Sequence, residues 1–295
     1  MNDVPALFFE GIASLVDSAK TLSSGSALSG LPGLVTLAFY KKRCRHEMIL
    51  INGQLTKEIY VNCGNHLVNN DIKTPSKKHL HYTGIAIGAD REEYSTDPKA
   101  MERVMSATKG EHVILRFATS NISEEIAKCV ESIPVVFELK LSTKITSEVL
   151  QMVHSLVKKN TLNQMVIAED VEIDDETAQL LVDLLKLKQF HRIFFRAKCS
   201  AALQEIIASW RENSEEMVGK MICCKEKFSE LQLSSTEFPF QECSEEEERD
   251  AKRAYYIPSY WPYVTAKSVL SNQNGSAVYC LSMRCSLYET QFVFA

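Results

Sequence analysis

The sequence predicts an α/β fold in which strands and helices alternate as stacked units, and three observations predict it. The first is a spacing. Phe137-x-Leu139, Met165-x-Ile167, Ile193-x-Phe195 and Met221-x-Cys223 follow one another at intervals of 28 residues. Leu150, Ala178 and Ile206 keep the same step, and so do Leu162, Phe190 and Val218. A fixed period of that length marks repeated supersecondary units, each burying an apolar face against its neighbours. The second is alternation: apolar runs of strand length are separated by segments with helical periodicity. Short connections between them imply parallel strands joined by right-handed crossovers. The third is the chemistry of the strand-to-helix turns. They read Thr119-Ser120-Asn121, Ser142-Thr143-Lys144, Glu169-Asp170-Val171 and Lys198-Cys199-Ser200. A nucleotide-binding sheet holds phosphate on backbone N–H groups at a glycine-rich turn. These turns have no glycine and one is acidic, which argues for a solenoid.

The apolar half of the leucine-rich-repeat pattern is kept in Leu162-x-x-Met165-x-Ile167, while Asp170, Lys198 and Glu226 stand at the asparagine position. The unit from Val113 to Val135 is shorter than the rest. The expectation is therefore a short irregular leucine-rich-repeat-like solenoid of parallel strands and helices. A helical N-terminal segment and an antiparallel β C-terminal region flank it.

Taken in order, Val4, Leu7, Phe8, Ile12, Leu15 and Val16 fall at helical spacing over residues 4–20, with Pro5 tolerated in the first turn. A Ser/Gly stretch, 22–30, leads to a second apolar run over 34–40 that ends in Lys41-Lys42-Arg43. From His46 the period becomes two. The runs 48–51 and 55–61 flank Asn52-Gly53, a strong hairpin signal. A strand over 79–87 and a short helix over 98–108 follow. The regular region then alternates strands at 113–118, 135–141, 165–168, 192–197 and 220–224 with helices at 123–132, 146–159, 174–188 and 201–211. Asn121 or Ser123 is suited to cap the first of these helices. The tail reads as antiparallel strands over 264–270, 277–283 and 287–294. The division is a helical segment 1–45, a hairpin-containing cap 46–110, the repeat region 111–228, and a loop and tail 229–295.

Composition excludes several roles. A net charge of −5 gives no general attraction to nucleic acid or anionic lipid. No uninterrupted apolar stretch reaches about 18 residues, the length that spans a membrane. The N-terminus lacks the basic region of a signal peptide, and the odd, scattered cysteines predict reduced thiols and a cytoplasmic or nuclear protein. His79-x-His81 would share one strand face, yet no third metal ligand is placed by spacing, and an exposed strand face is the simpler reading. Cys223-Cys224 read as small buried apolar residues. Nucleophile-elbow, phosphate-loop and zinc-protease motifs are lacking, so neither a catalytic residue nor a cofactor is assigned. The segment over 255–263 packs four Tyr, one Trp and two Pro into nine residues. Tyr256, Tyr260, Trp261 and Tyr263 suit a partner-binding surface, because such side chains supply contact area at low entropic cost. They equally suit a core-filling connector.

Val4-Pro5-Ala6-Leu7-Phe8-Phe9-Glu10-Gly11-Ile12, with Leu28-Ser29-Gly30-Leu31 and the apolar helix ending in a basic patch, resembles an F-box. The whole chain resembles the divergent nematode families of F-box-derived proteins, which pair such an N-terminus with a variable strand-helix region. The resemblance implies substrate recognition: the F-box docks on the Skp-type adaptor of a Skp–cullin ubiquitin ligase, and the repeat region holds the target. Val4, Pro5, Leu7, Phe8, Ile12, Leu31 and Leu34 would form the docking surface. The same residues also suit helices that cap the solenoid. A non-enzymatic protein-recognition module is thus the leading expectation. An α/β enzyme with an unrecognised site, or an orphan scaffold that has lost ligase binding, is the alternative.

Overall fold

The computed structural model describes residues 8–9, 25, 27–62, 80–88, 97–109, 112–120, 122–159, 161–231, 233, 238–247, 264–271, 276–283 and 288–295. The chain divides into two compact units, Met1–Arg116 with Ser123–Val135, and Phe117–Ile122 with Val136–Ala295.

The first unit holds helix α1 (Gly30–Lys42), strands β1 (Cys44–Ile51), β2 (Gln54–Asn62) and β3 (Leu80–Gly88), helix α2 (Pro98–Ala107), strand β4 (Val113–Phe117, less its last residue) and helix α3 (Glu124–Ser132). The strands lie in the order β2-β1-β3-β4. Asn52-Gly53 forms the expected tight turn, with φ of 52° and 73°. Both positive angles match a two-residue hairpin of the kind that follows strand twist. Beyond it β1 and β2 pair antiparallel, while β3 returns parallel to β1. Period-two burial along β1 turns Cys44, His46, Met48 and Leu50 inward. Ile85, Ile87, Val113, Leu115, Val104, Ile126 and Val130 are likewise buried. The caps follow sequence chemistry. Asp97 accepts from the Lys99 N–H ahead of Pro98, and Ser123 accepts from the Ile126 N–H.

The second unit holds β5 (Val136–Leu141), α4 (Ser147–Lys158), β6 (Gln164–Ile167), α5 (Asp175–Lys186), β7 (Arg192–Phe195), α6 (Ser200–Glu212), α7 (Ser214–Met217), β8 (Met221–Cys224), β9 (Gln241–Glu242), β10 (Val264–Ser271), β11 (Ala277–Met283) and β12 (Thr290–Phe294). Its strand order is β5-β6-β7-β8-β12-β11-β10-β9. Strands β5 to β8 are parallel, and β12, β11, β10 and β9 continue antiparallel from β8. The fold class is α/β with mixed strand pairing.

The register corrects the even period. Leu139 lies opposite Met165, Met165 opposite Ile193, and Ile193 opposite Ile222, which are steps of 26, 28 and 29 residues. Only the β6-to-β7 step is 28. The buried pairs are accordingly Leu139/Leu141, Met165/Ile167, Ile193/Phe195 and Ile222/Cys224. At β5 the spacing kept the right parity but chose Phe137, two residues early and only half-buried, whereas at β8 it chose the neighbouring parity, with Met221 half-buried. The helix positions Leu150, Ala178 and Ile206 are all buried as spaced, whereas Val218 is 54% exposed. The short helix α7 lies between α6 and β8, where the step lengthens to 29 residues and Val218 leaves the apolar layer.

Candidate interaction surfaces

Helix α1 is apolar around most of its circumference, yet it buries only part of itself. Phe39 is buried, with Val35 and Tyr40 packed against it. Lys41 and Lys42 occupy the last turn, where positive charge complements the helix dipole. The Lys41 carbonyl there accepts a bond from Asn62 Nδ2 at 2.5 Å. Thr36 Oγ1 donates to Pro32 O at 2.7 Å and keeps that hydroxyl off the outer surface. Leu31 and Leu34, one turn apart on α1, are 39% and 67% exposed, and Leu28, just before the helix, is 60% exposed. A helix with apolar residues on this side gains nothing from water, so the stripe is suited to an apolar partner.

A second surface lies on the parallel strands of the other unit. One face carries the buried pairs from Leu139 to Cys224. The opposite parity carries Glu138 and Lys140, Gln164 and Val166, Arg192 and Phe194, and Met221 and Cys223. Arg192 is exposed, and Lys140, Gln164, Val166, Phe194 and Met221 are half-buried. Glu138 is 8% exposed, with its carboxylate held by Lys140 Nζ at 2.9 Å and by a bond from Gln164 Nε2. The Phe194 ring sits 5.3 Å from that of Tyr288. Burial pushes the Tyr288 phenol up, partly offset by the hydrogen bond and charge of Arg196. The face is half open, mixing aromatic and aliphatic side chains with both charges.

Three polar clusters escaped the sequence reading. In the first unit His46 Nε2 meets Glu58 Oε1 at 2.9 Å, and Arg103 grips the same carboxylate through Nη2 at 2.7 Å and Nε at 3.1 Å. The His46 ring stacks on Tyr60 at 4.5 Å. Desolvation holds the imidazole below its ordinary 6.5 although Glu58 pulls the other way. For Glu58, desolvation is outweighed by hydrogen bonds and charges from Arg103 and His46, which hold the carboxyl below its ordinary 4.5. In the second unit the Lys220 ammonium, on a residue 3% exposed, donates to Leu187 O and Phe190 O at 2.6 Å each. It thereby satisfies carbonyls left over where α5 ends. Desolvation lowers its pKa from 10.5. The third cluster is Cys199, Cys224 and Glu226. Cys199 Sγ lies 3.4 Å from both Cys224 Sγ and Glu226 Oε2. Strand alternation places His46 and Glu58 on one side of the hairpin. Nothing local in the sequence places Arg103, 45 residues beyond Glu58.

Of the residues expected to bind a partner, Leu31 and Leu34 lie together on α1. Phe8 is 55% exposed and contacts Phe9 edge-to-face, with ring centroids 5.6 Å apart. Val4, Pro5, Leu7 and Ile12 lie outside the described residues, as do Tyr256, Tyr260, Trp261 and Tyr263 and the first histidine of His79-x-His81. No group of three metal-ligating side chains occurs among the described residues. No described helix is long and apolar enough to cross a membrane. A cavity of about 10 Å³ beneath α2 and α3, lined by Leu50, Ile87, Val104 and Ile126, is a gap in the apolar core. Comparison with protein-family models, curated proteins and solved structures finds no match.

Proposed function

We propose that the chain is a non-enzymatic protein-recognition module, and that it acts as the substrate-binding adaptor of a Skp–cullin ubiquitin ligase. The observation that carries this reading is the exposed pair Leu31 and Leu34 on α1, with Leu28 also exposed just before the helix. Large apolar side chains in water on the first turns of α1 suit a docking surface better than a cap, which would be covered. The basic last turn of α1 agrees with the resemblance to an F-box. The strand-helix region, read as a short irregular leucine-rich-repeat-like solenoid, holds the target on the half-open face that includes Val166, Arg192 and Phe194. Two cross-unit bonds support that reading. Glu226, at the asparagine position of the repeat, accepts from the backbone N–H of Cys199 in the turn before it. Asn163 Nδ2 donates to Gln189 O one unit on. The ligase reading places the protein in the cytoplasm or nucleus, with protein partners and no nucleic acid or membrane.

The test is affinity capture with the full chain as bait, comparing wild type with the Leu31→Asp, Leu34→Asp double variant and with Arg192→Glu. The first variant is expected to lose the Skp-type adaptor and keep the target. The second is expected to lose the target and keep the adaptor. Capture of neither by the wild-type chain, or capture unchanged by both variants, contradicts the proposal.

A further inference from the structure

We propose that Cys199 and Cys224 are a reversible oxidation site, a dithiol that hydrogen peroxide converts to an intrachain disulfide with Glu226 as the proton acceptor. Three observations converge there, independently of any partner. The two sulfurs are already in contact at 3.4 Å, although 25 residues separate them in the chain. Cys199 comes from the turn that opens α6, and Cys224 ends β8, so neighbouring units hold the pair in place. Of the two, Cys199 is the one whose thiol is in hydrogen-bond contact with a carboxylate. Its Sγ lies 3.4 Å from Glu226 Oε2, which also accepts its backbone N–H at 2.9 Å.

The asymmetry divides the roles. The thiolate is the nucleophile toward a peroxide. The Cys199 proton has a route to the Glu226 carboxylate, whereas burial, first, and then its neighbours push the Cys224 thiol well up and keep it protonated. Both residues are almost fully buried, at 1% and 0% exposure. Glu226 beside them is half-buried and Lys225 is exposed, so the pair lies one side chain beneath the surface.

In the first step the Cys199 sulfur attacks one peroxide oxygen and the O–O bond breaks. A sulfenic acid forms, and the departing hydroxide takes the proton held on Glu226 and leaves as water. The Cys224 sulfur then attacks the sulfenic sulfur. The S–S bond forms, the S–O bond breaks, and hydroxide leaves with the Cys224 proton as a second water. Two thiols are oxidised by two electrons while one peroxide is reduced to two waters. A dithiol reductant restores the pair.

The experiment treats the native full chain with hydrogen peroxide, quenches it at intervals and maps the products by mass spectrometry. Wild type is expected to lose two hydrogen atoms, to yield a linked peptide pair containing Cys199 and Cys224, and to revert with dithiothreitol. Cys224→Ala is expected to stop at a sulfenic acid on Cys199 that dimedone traps. Glu226→Gln keeps an acceptor for the Cys199 N–H but not the base, and is expected to slow disulfide formation at least about tenfold, since general-base assistance is commonly worth 10²–10⁴. Circular dichroism of each variant shows that the fold is kept. A native chain that forms no disulfide, a disulfide between other cysteines, dimedone on a different cysteine, or a Glu226→Gln rate equal to wild type overturns the proposal.

Discussion

Lys220 shows how a single buried charge can be structural. Its ammonium donates two short bonds in the turn closing α5, to Phe190 O and to Leu187 O, the second of which also accepts from the Phe190 N–H. Replacing it with Met keeps the packing but takes that donor from both carbonyls, while Leu187 O keeps the Phe190 N–H, and a buried group left unsatisfied costs roughly 1–3 kcal/mol. Lys220→Met is expected to lower the unfolding free energy by about 1–3 kcal/mol in a urea titration. His46 makes a second prediction. Desolvation lowers its pKa in the folded chain, so the folded state binds this proton less readily than the unfolded state does. Its contribution is therefore intact above the ordinary 6.5 and is lost as pH falls below it. Glu58, also lowered, adds a loss of the same sign at more acid pH, below its ordinary 4.5. Unfolding free energy should fall between about pH 7 and pH 5, and less steeply in His46→Gln. An identical slope in the variant would place the titration elsewhere, on His191 for instance, which burial also lowers.

Elements were the most legible level of the sequence, because their signals are local. Asn52-Gly53 specifies the hairpin through two positive φ angles, and Asp174, whose side chain accepts from the Thr177 N–H at 2.8 Å, specifies the start of α5. Asp174→Ala should cost about 1 kcal/mol in stability. Gly53→Ala, at a φ of 73°, should cost about as much or more. Differential scanning calorimetry of the two variants checks both. What stayed hidden depends on distances between elements. A 28-residue step in the sequence does not reveal the 26- and 29-residue steps of the actual pairing, since Phe137, Leu139 and Leu141 are apolar alike on one parity of β5 and Met221 to Cys224 are apolar on both parities of β8. A one-residue choice there exchanges the two faces of the strand. The short helix α7 and the two-residue strand β9 carry no periodicity long enough to read. Likewise, the contact of Cys199 with Cys224 follows only from the β7–β8 register.

At the scale of the molecule, the α/β class follows from alternation of strands and helices, and the antiparallel extension from the turn signals of the tail. Function is less legible because it depends on which apolar residues stay uncovered. The sequence pattern of α1 is the same whether Leu31 and Leu34 face a core or water, and exposure alone separates the two. Burial on one face of β5–β8 and half-exposure on the other complete the pattern of a chain that presents surfaces. The proposed recognition role is tested most directly by isothermal titration of the full chain with a purified Skp-type adaptor. Binding with a dissociation constant of about 1 µM or tighter, abolished by Leu31→Asp with Leu34→Asp while the thermal midpoint is unchanged, is the expected result. No heat of binding at micromolar concentrations, or binding indifferent to both leucines, would contradict it.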